Sequence, residues 1–327
     1  MNLLFHTPGH AEHDPTALSP GHPERPARLE ALTPVLEQAV GAHAESGTWA
    51  KREHAPATDE ALARLHTVAH LEWLEGLAAN GGGLTEPDTP VLAGSMSAAR
   101  SAAGAGLAAV DAVLTEPEAT RAFCAVRPPG HHARPFTDRG AMGFCLLANA
   151  ALAAAHARAV HGLARVLMID FDVHHGNGTQ DAFYADPNVH FLSLHRFPFY
   201  PGSGAKDETG AGAGLGATRN LPIAFGTPAD TIVGRFCIAL GDVADVCKPE
   251  LVILSAGFDA RRGDPVGDLG LELEHFAAMT AAVVAIAEAH AGGRVVSLLE
   301  GGYDPAQLAE GVETHLAALA ADEPSSE

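Results

Sequence analysis

Five short apolar runs punctuate the chain: AFCAV at 122–126, RVLMID at 165–170, VHFLSL at 189–194, LVILSA at 251–256 and RVVSLL at 294–299. Each is nearly continuous in hydrophobicity, as a strand covered on both faces of a parallel sheet requires. Between them lie longer, Ala-rich stretches with apolar residues at helical spacing. These predict helices over 59–79, with Thr58 or Asp59 as N-cap, and over 95–114, 146–161, 229–247 and 273–291. Strands alternating with helices, with no linker between, predict one α/β domain over residues 1–320. Its sheet is mostly parallel and doubly wound, with helices on both faces. The last residues, ADEPSSE at 321–327, read as a frayed tail.

The loops after these strands change the picture. AFCAV runs into RPPGHHA, RVLMI into DFDVHHGNG, LVILSA into GFDARRGDP, and RVVSLL into EGGYD. In an open parallel sheet the ligand crevice lies outside the carboxyl ends of the strands, so these loops are expected to converge on one site there. Asp170, Asp172 and His174 are spaced i, i+2, i+4 and share a face if the segment is extended. Asp259 from the third loop would complete a three-ligand set with Asp172 and His174. Three protein ligands leave a position open, the mark of a catalytic rather than a structural zinc site. The plainer alternative is that these carboxylates cap turns and pair with arginines such as Arg261. The tandem His131–His132 follows a rigid Pro-Pro-Gly turn, a setting suited to proton transfer. Tyr303, after two glycines, is placed to bring a hydroxyl to the same crevice, or else to pack.

A second Gly-rich segment, GAGAGLGA, fits G-x-G-x-x-A from Gly212 to Ala217. No strand leads into it, and the TRNLPI after it is strand-like rather than helical. It reads as a flexible loop and not as a phosphate cradle.

The 327 residues carry a formal net charge of −20, which argues against a nucleic-acid groove. There is no run of 18 apolar residues, so no membrane span is expected. MNLLFHTPGH lacks the features of a secretory signal, which makes a cytoplasmic location the default. Cys124, Cys145, Cys237 and Cys247 lack C-x-x-C spacing and read as reduced, small buried residues.

Taken in order, HPERPARL (22–29), RPPGHHA, GFC (143–145), DFDVHHGNGTQDAFY, SLH (193–195), YPGSG (200–204), GFDA, GDP and EGGYD resemble the zinc-dependent histone deacetylase family. That family includes acetylpolyamine amidohydrolases and acetoin-utilisation deacetylases, and its fold is arginase/deacetylase-like. Asn177 in HHGNGTQ is similar to class II members. The resemblance implies Asp172, His174 and Asp259 as zinc ligands, with ferrous iron an alternative occupant. It implies His131 oriented by Asp170, His132 beside Asn177 as general base and then acid, and Tyr303 as oxyanion donor. It also implies a structural potassium ion held by the side chains of Asp170 and Ser193 and the main-chain oxygens of Asp172, His174 and Leu194. Gly143, Phe144, Tyr200, Val266 and the rim residue Asp88 would form the substrate tunnel, with Phe144 and Tyr200 as facing walls. The activity implied is removal of short acyl groups from acyl-lysine peptides or proteins, or from small N-acyl amines. Val266, the residue after GDP, lacks the carboxylate that polyamine-selective members can carry there. Alternatives are an acetylpolyamine amidohydrolase, an arginase-like ureohydrolase, and a non-catalytic acyl-lysine or metal binder. The pattern leaves the oligomeric state open.

Overall fold

The structure, a computed structural model, describes residues 1–7, 9–41 and 49–321. All of the expected tail beyond Ala321 lies outside the described residues. The strands are β1 (Asn2–His6), β2 (Trp49–Arg52), β3 (Gly83–Glu86), β4 (Thr89–Val91), β5 (Arg121–Ala125), β6 (Val166–Asp170), β7 (Val189–Arg196), β8 (Thr218–Ile223), β9 (Leu251–Ala256) and β10 (Val295–Leu299). The helices are α1 (Ala27–Glu30), α2 (Thr33–Gly41), α3 (Asp59–Leu62), α4 (Val68–Ala79), α5 (Ser95–Thr115), α6 (Asn149–His161), α7 (Asn177–Phe183), α8 (Ala229–Cys247), α9 (Leu273–Ala291) and α10 (Pro305–Ala320).

Eight strands form one sheet in the order β2-β1-β5-β10-β9-β6-β7-β8, and every neighbouring pair is parallel. The five apolar runs are its β5, β6, β7, β9 and β10. Alternate residues of each strand feed two cores, one on each face. Val166 and Met168 of β6 join Leu71, Val110 and Leu152 of α4, α5 and α6. Leu167 and Ile169 join Phe236, Phe276 and Leu316 of α8, α9 and α10. Burial on both faces is why these strands are apolar at nearly every position.

Two helical expectations change. The stretch 59–79 is two helices, because Thr67 accepts a hydrogen bond from the His70 N–H and caps a fresh start at Val68. Thr58 caps the first piece. The helix expected from 146 begins at Asn149. Gly212–Gly214 is a single 3-10 turn that leads into β8, the strand-like TRNLPI, so no helix stands where a phosphate cradle would need one. Among the described residues no helix is long and apolar enough to cross a membrane.

Candidate active site

β5, β10, β9 and β6 are adjacent in the middle of the sheet. The chain passes from β5 to β6 across the two strands made last, and the strand order reverses there. Their four carboxyl-terminal loops therefore open side by side at the switch point, where a crevice forms.

The segment after β6 is not extended. β6 stops at Asp170, and the next residues turn. Asp170 Oδ1 accepts from the Asp172 N–H at 3.0 Å, and Asp172 Oδ1 from the His174 N–H at 2.9 Å. The i, i+2, i+4 spacing thus works through two consecutive side-chain turns rather than one strand face. Only Asp172 and His174 enter the ligand cluster, with Asp259 as the third member. His174 Nδ1 is 3.1 Å from Asp172 Oδ1 and 3.1 Å from Asp259 Oδ2. One ring N–H serves only one of them, and the buried Asp259 Oδ2 has no hydrogen-bond partner. The other carboxylate oxygens are tied down: Asp172 Oδ2 accepts from the Gly301 N–H and Asp259 Oδ1 from the Val173 N–H. A Cβ on Gly301 would lie 2.2 Å from Asp259 Oδ2, so only glycine lets β10's loop approach this closely. Burial pushes the Asp259 carboxyl up to about 7, with the Asp172 charge adding to it. Burial opposes a charge on His174, yet the hydrogen bond to Asp172 and the nearby Asp259 carboxylate raise it to about 9. Arg261 pairs with Glu310 at 2.7 Å, so the alternative of an arginine neutralising these aspartates does not hold for it.

The paired histidines take opposite settings. His131 Nδ1 is 3.0 Å from Asp170 Oδ2. Burial works against its charge, but Asp172 and Asp170 outweigh it and hold its pKa well above the usual value. His132 Nδ1 is 2.7 Å from Asn177 Oδ1, an acceptor, so Nδ1 carries the hydrogen and Nε2 is left with a lone pair. Burial, then the charges of His131 and His174, push its pKa well below the usual value. Glu300, at the end of β10, fixes the turn before both rings. Its Oε2 accepts from the Gly130 and His131 N–H groups at 2.7 and 3.2 Å. The Tyr303 N–H donates to Asp264 Oδ2, and the Arg28 guanidinium lies 4.9 Å from its ring centroid.

A cavity of about 200 Å³ opens onto this floor, lined by Asp88, His132, Gly143, Phe144, His174, Phe199, Tyr200, Val266 and Tyr303. All five tunnel residues expected from the sequence are among these. The rings of Phe144 and Tyr200 have different neighbours: Phe144 meets His22 and Tyr303 edge-on, and Tyr200 meets His132 and His174. The Tyr200 hydroxyl donates to Glu86 Oε2 at 3.1 Å, tying this wall to the β3–β4 hairpin whose turn carries Asp88. The sequence reading missed Phe199, which stacks on His174 at 5.2 Å, as well as Glu86 and Glu300. Phe199 carried a signal, since an aromatic beside a wall residue and next to the YPGSG turn belongs to the same loop. Behind the floor, Asp170 and Ser193 are paired in register across β6 and β7, and the Ser193 hydroxyl is 2.9 Å from His195 Nδ1. Leu194 is fully buried in β7.

Residues 22–319 match the histone deacetylase domain. The chain is 40% identical over 294 residues to a histone deacetylase-like amidohydrolase of Pseudomonas aeruginosa, covering 88% of this chain and 74% of that one. It is 47% identical over 223 residues to the human polyamine deacetylase HDAC10, covering 65% of this chain and 32% of that one. Its fold matches the crystal structure of the HDA15 HD domain with a TM-score of 0.87 at 33% identity, over 98% of this chain and 88% of the other. A wholly parallel eight-stranded sheet with an Asp-His-Asp cluster at its switch point, matched nearly end to end, makes this chain a member of the histone deacetylase family.

Proposed function

We propose that the protein is a metal-dependent amidohydrolase that removes acetyl, or other short acyl groups, from N-acyl amines, with acyl-lysine side chains preferred. One observation carries this reading: His132, Tyr303 and the Asp172–His174–Asp259 cluster meet at the base of one narrow cavity. Two carboxylates and an imidazole suit zinc, or ferrous iron, and the unpartnered Asp259 Oδ2 is an oxygen that a cation would satisfy. When bound, such an ion polarises the acyl carbonyl and makes a water molecule acidic. The chain's own groups do the rest. His132 Nε2 accepts the proton of the attacking water, while Asn177 holds the ring through Nδ1. The Tyr303 hydroxyl donates to the oxyanion as it forms. His132 then returns a proton to the amine nitrogen as the C–N bond breaks. His131, paired with Asp170, is the charged ring of the two and keeps its proton. Phe144, Phe199 and Tyr200 exclude water along an aliphatic stem, and Asp88 at the hairpin turn receives the substrate backbone. Potassium held by Asp170, Ser193 and the main-chain oxygens of Asp172, His174 and Leu194 belongs to the same reading. Its support is the side-by-side register of Asp170 and Ser193.

A second substrate reading, acetylated polyamines, is favoured by Asp88 on the cavity wall and Glu86 beside Tyr200. Against it, Val266 occupies the lining position where a carboxylate would meet a second ammonium group. The test measures kcat/KM for an acetyl-lysine peptide and for acetylspermidine, with wild type, Val266→Glu and Asp259→Ala. The expected result is preference for the peptide in wild type and a shift toward acetylspermidine in Val266→Glu. Asp259→Ala should lose both metal and turnover. Full activity in metal-stripped protein would sink the mechanism, and wild-type preference for acetylspermidine would replace the lysine assignment.

A further inference from the structure

A second group of ligand-type side chains lies away from the cavity. α6 ends at His161, shortly before β6 begins at Val166, so its last turn sits at the opposite end of the strands from the catalytic loops. There Asp111 of α5 faces His156 and His161 of α6. Both imidazole Nε2 atoms stand 2.6 Å from the same oxygen, Asp111 Oδ1. That is closer than the usual 2.9–3.0 Å of an N–H···O bond, and both rings crowd one atom. The two rings meet edge to face at 5.7 Å, and one ligand atom from each of the three residues lies within 4.8 Å of the others. The histidine side chains are 10% and 17% exposed while Asp111 is 49% exposed, so the group is backed by protein and opens to solvent on its carboxylate side.

We propose that Asp111, His156 and His161 form a second binding site for a divalent transition metal ion such as Zn2+, clamping α5 to α6. Two imidazoles and one carboxylate are a donor set for such ions, and the open side leaves room for water as a further ligand. Ligands about 2.0–2.1 Å from a tetrahedral ion stand about 3.3 Å apart, so each Nε2 to Asp111 Oδ1 separation, 2.6 Å here, needs to widen by about 0.7 Å. One neighbour opposes the ion. Arg64 Nη1 is 3.4 Å from His156 Nδ1, and a guanidinium can only donate. Ligation through Nε2 puts the hydrogen of His156 on Nδ1, so Arg64 must swing aside, and its charge repels the cation. The site is therefore weaker than its donor set alone would make it, and replacing Arg64 by an acceptor relieves both effects.

The test is calorimetric titration of the full-length, metal-loaded protein with Zn2+ alone, with melting temperature as a second readout. Wild type, His161→Gln, Asp111→Asn and Arg64→Gln are compared. The expected result is one binding event in wild type beyond the catalytic metal, with a rise in Tm on saturation. His161→Gln and Asp111→Asn should lose both event and rise, with acetyl-lysine turnover unchanged. Arg64→Gln should bind about tenfold more tightly, the low end of what outer-shell partners contribute. This variant leaves all three ligands in place, so it decides the matter even if a ligand variant fails to fold. No additional event at millimolar Zn2+ in both wild type and Arg64→Gln would reduce the group to a hydrogen-bonded clamp and overturn the proposal. An event of equal affinity in all four proteins would place the metal elsewhere and overturn it too.

Discussion

Tyr303 illustrates how a neighbourhood commits one side chain. Its backbone N–H is held by Asp264, its ring lies against Arg28 and Phe144, and its hydroxyl end is left to the cavity. If that hydroxyl meets the oxyanion, Tyr303→Phe is expected to lower kcat by on the order of 10²–10³, as loss of one oxyanion donor does. KM is expected to move far less, because the contact strengthens only in the transition state. Steady-state kinetics with a metal assay on the same sample checks this, and near wild-type turnover would make Tyr303 a packing residue. Legibility also differs residue by residue. Asp172, His174 and Asp259 stand in dense motifs, and their convergence was readable. Glu300 was not, although it lies in EGGYD: its use depends on two backbone N–H groups about 170 positions earlier, which no local spacing reveals. Glu86 was hidden for the same reason, since its partner Tyr200 is far along the chain.

At the scale of elements, the central strands were readable because burial on both faces leaves them few polar positions. The edge was not. β2 reads WAKR, and only Trp49 of its four residues is buried, so it carries no apolar run. α10 had the start signals of a helix: Asp304 accepts from the Ala306 and Gln307 N–H groups, with Pro305 in the first turn. Gly311 in its interior weakens that pattern. The structure explains the glycine, because a Cβ there would meet Phe258 at 2.8 Å. The over-long helix at 59–79 fails for the opposite reason. Apolar periodicity continues through the break, and the stop is set by Thr67 capping and by His66, whose Nε2 accepts from the distant Ala148 N–H.

Across the whole molecule, buried neutral histidines couple stability to pH. His66 and His315 are both lowered to about 3, His66 by burial and the nearby His70, His315 by burial alone. His315 bridges the Thr280 and Ser297 hydroxyls inside the core. An unfolded histidine titrates near 6.5, so between pH 6.5 and about 3 the unfolded chain binds protons that the folded one refuses. Stability is then full above pH 6.5 and falls as the pH drops, by up to about 2 kcal/mol per residue at pH 5. Melting curves at pH 5 and 7.5 should show His315→Gln with a shallower pH dependence than wild type. Equal slopes would mean that His315 is protonated without cost in the folded protein.

The strand order has a consequence for synthesis. β10 lies between β5 and β9, and it is the last of this sheet's strands in chain order. Without it, the strands β2-β1-β5 and β9-β6-β7-β8 share no strand-to-strand hydrogen bond, and the loops that carry the site are linked only through contacts such as the Gly178 and Thr179 N–H groups donating to His131 O. His131 and His132 belong to one part, and Asp172, His174 and Asp259 to the other. Chains emerge N-terminus first, so a nascent chain carries the Asp-His-Asp cluster and both histidines before β10 joins the two groups of strands. A chain ending at Ala291 should accordingly show no turnover and no single cooperative melt, and a cooperative melt would mean that the two parts close without β10. The centre of the sheet is in this sense its latest part to be made, closed by a strand that must enter between two already synthesised neighbours.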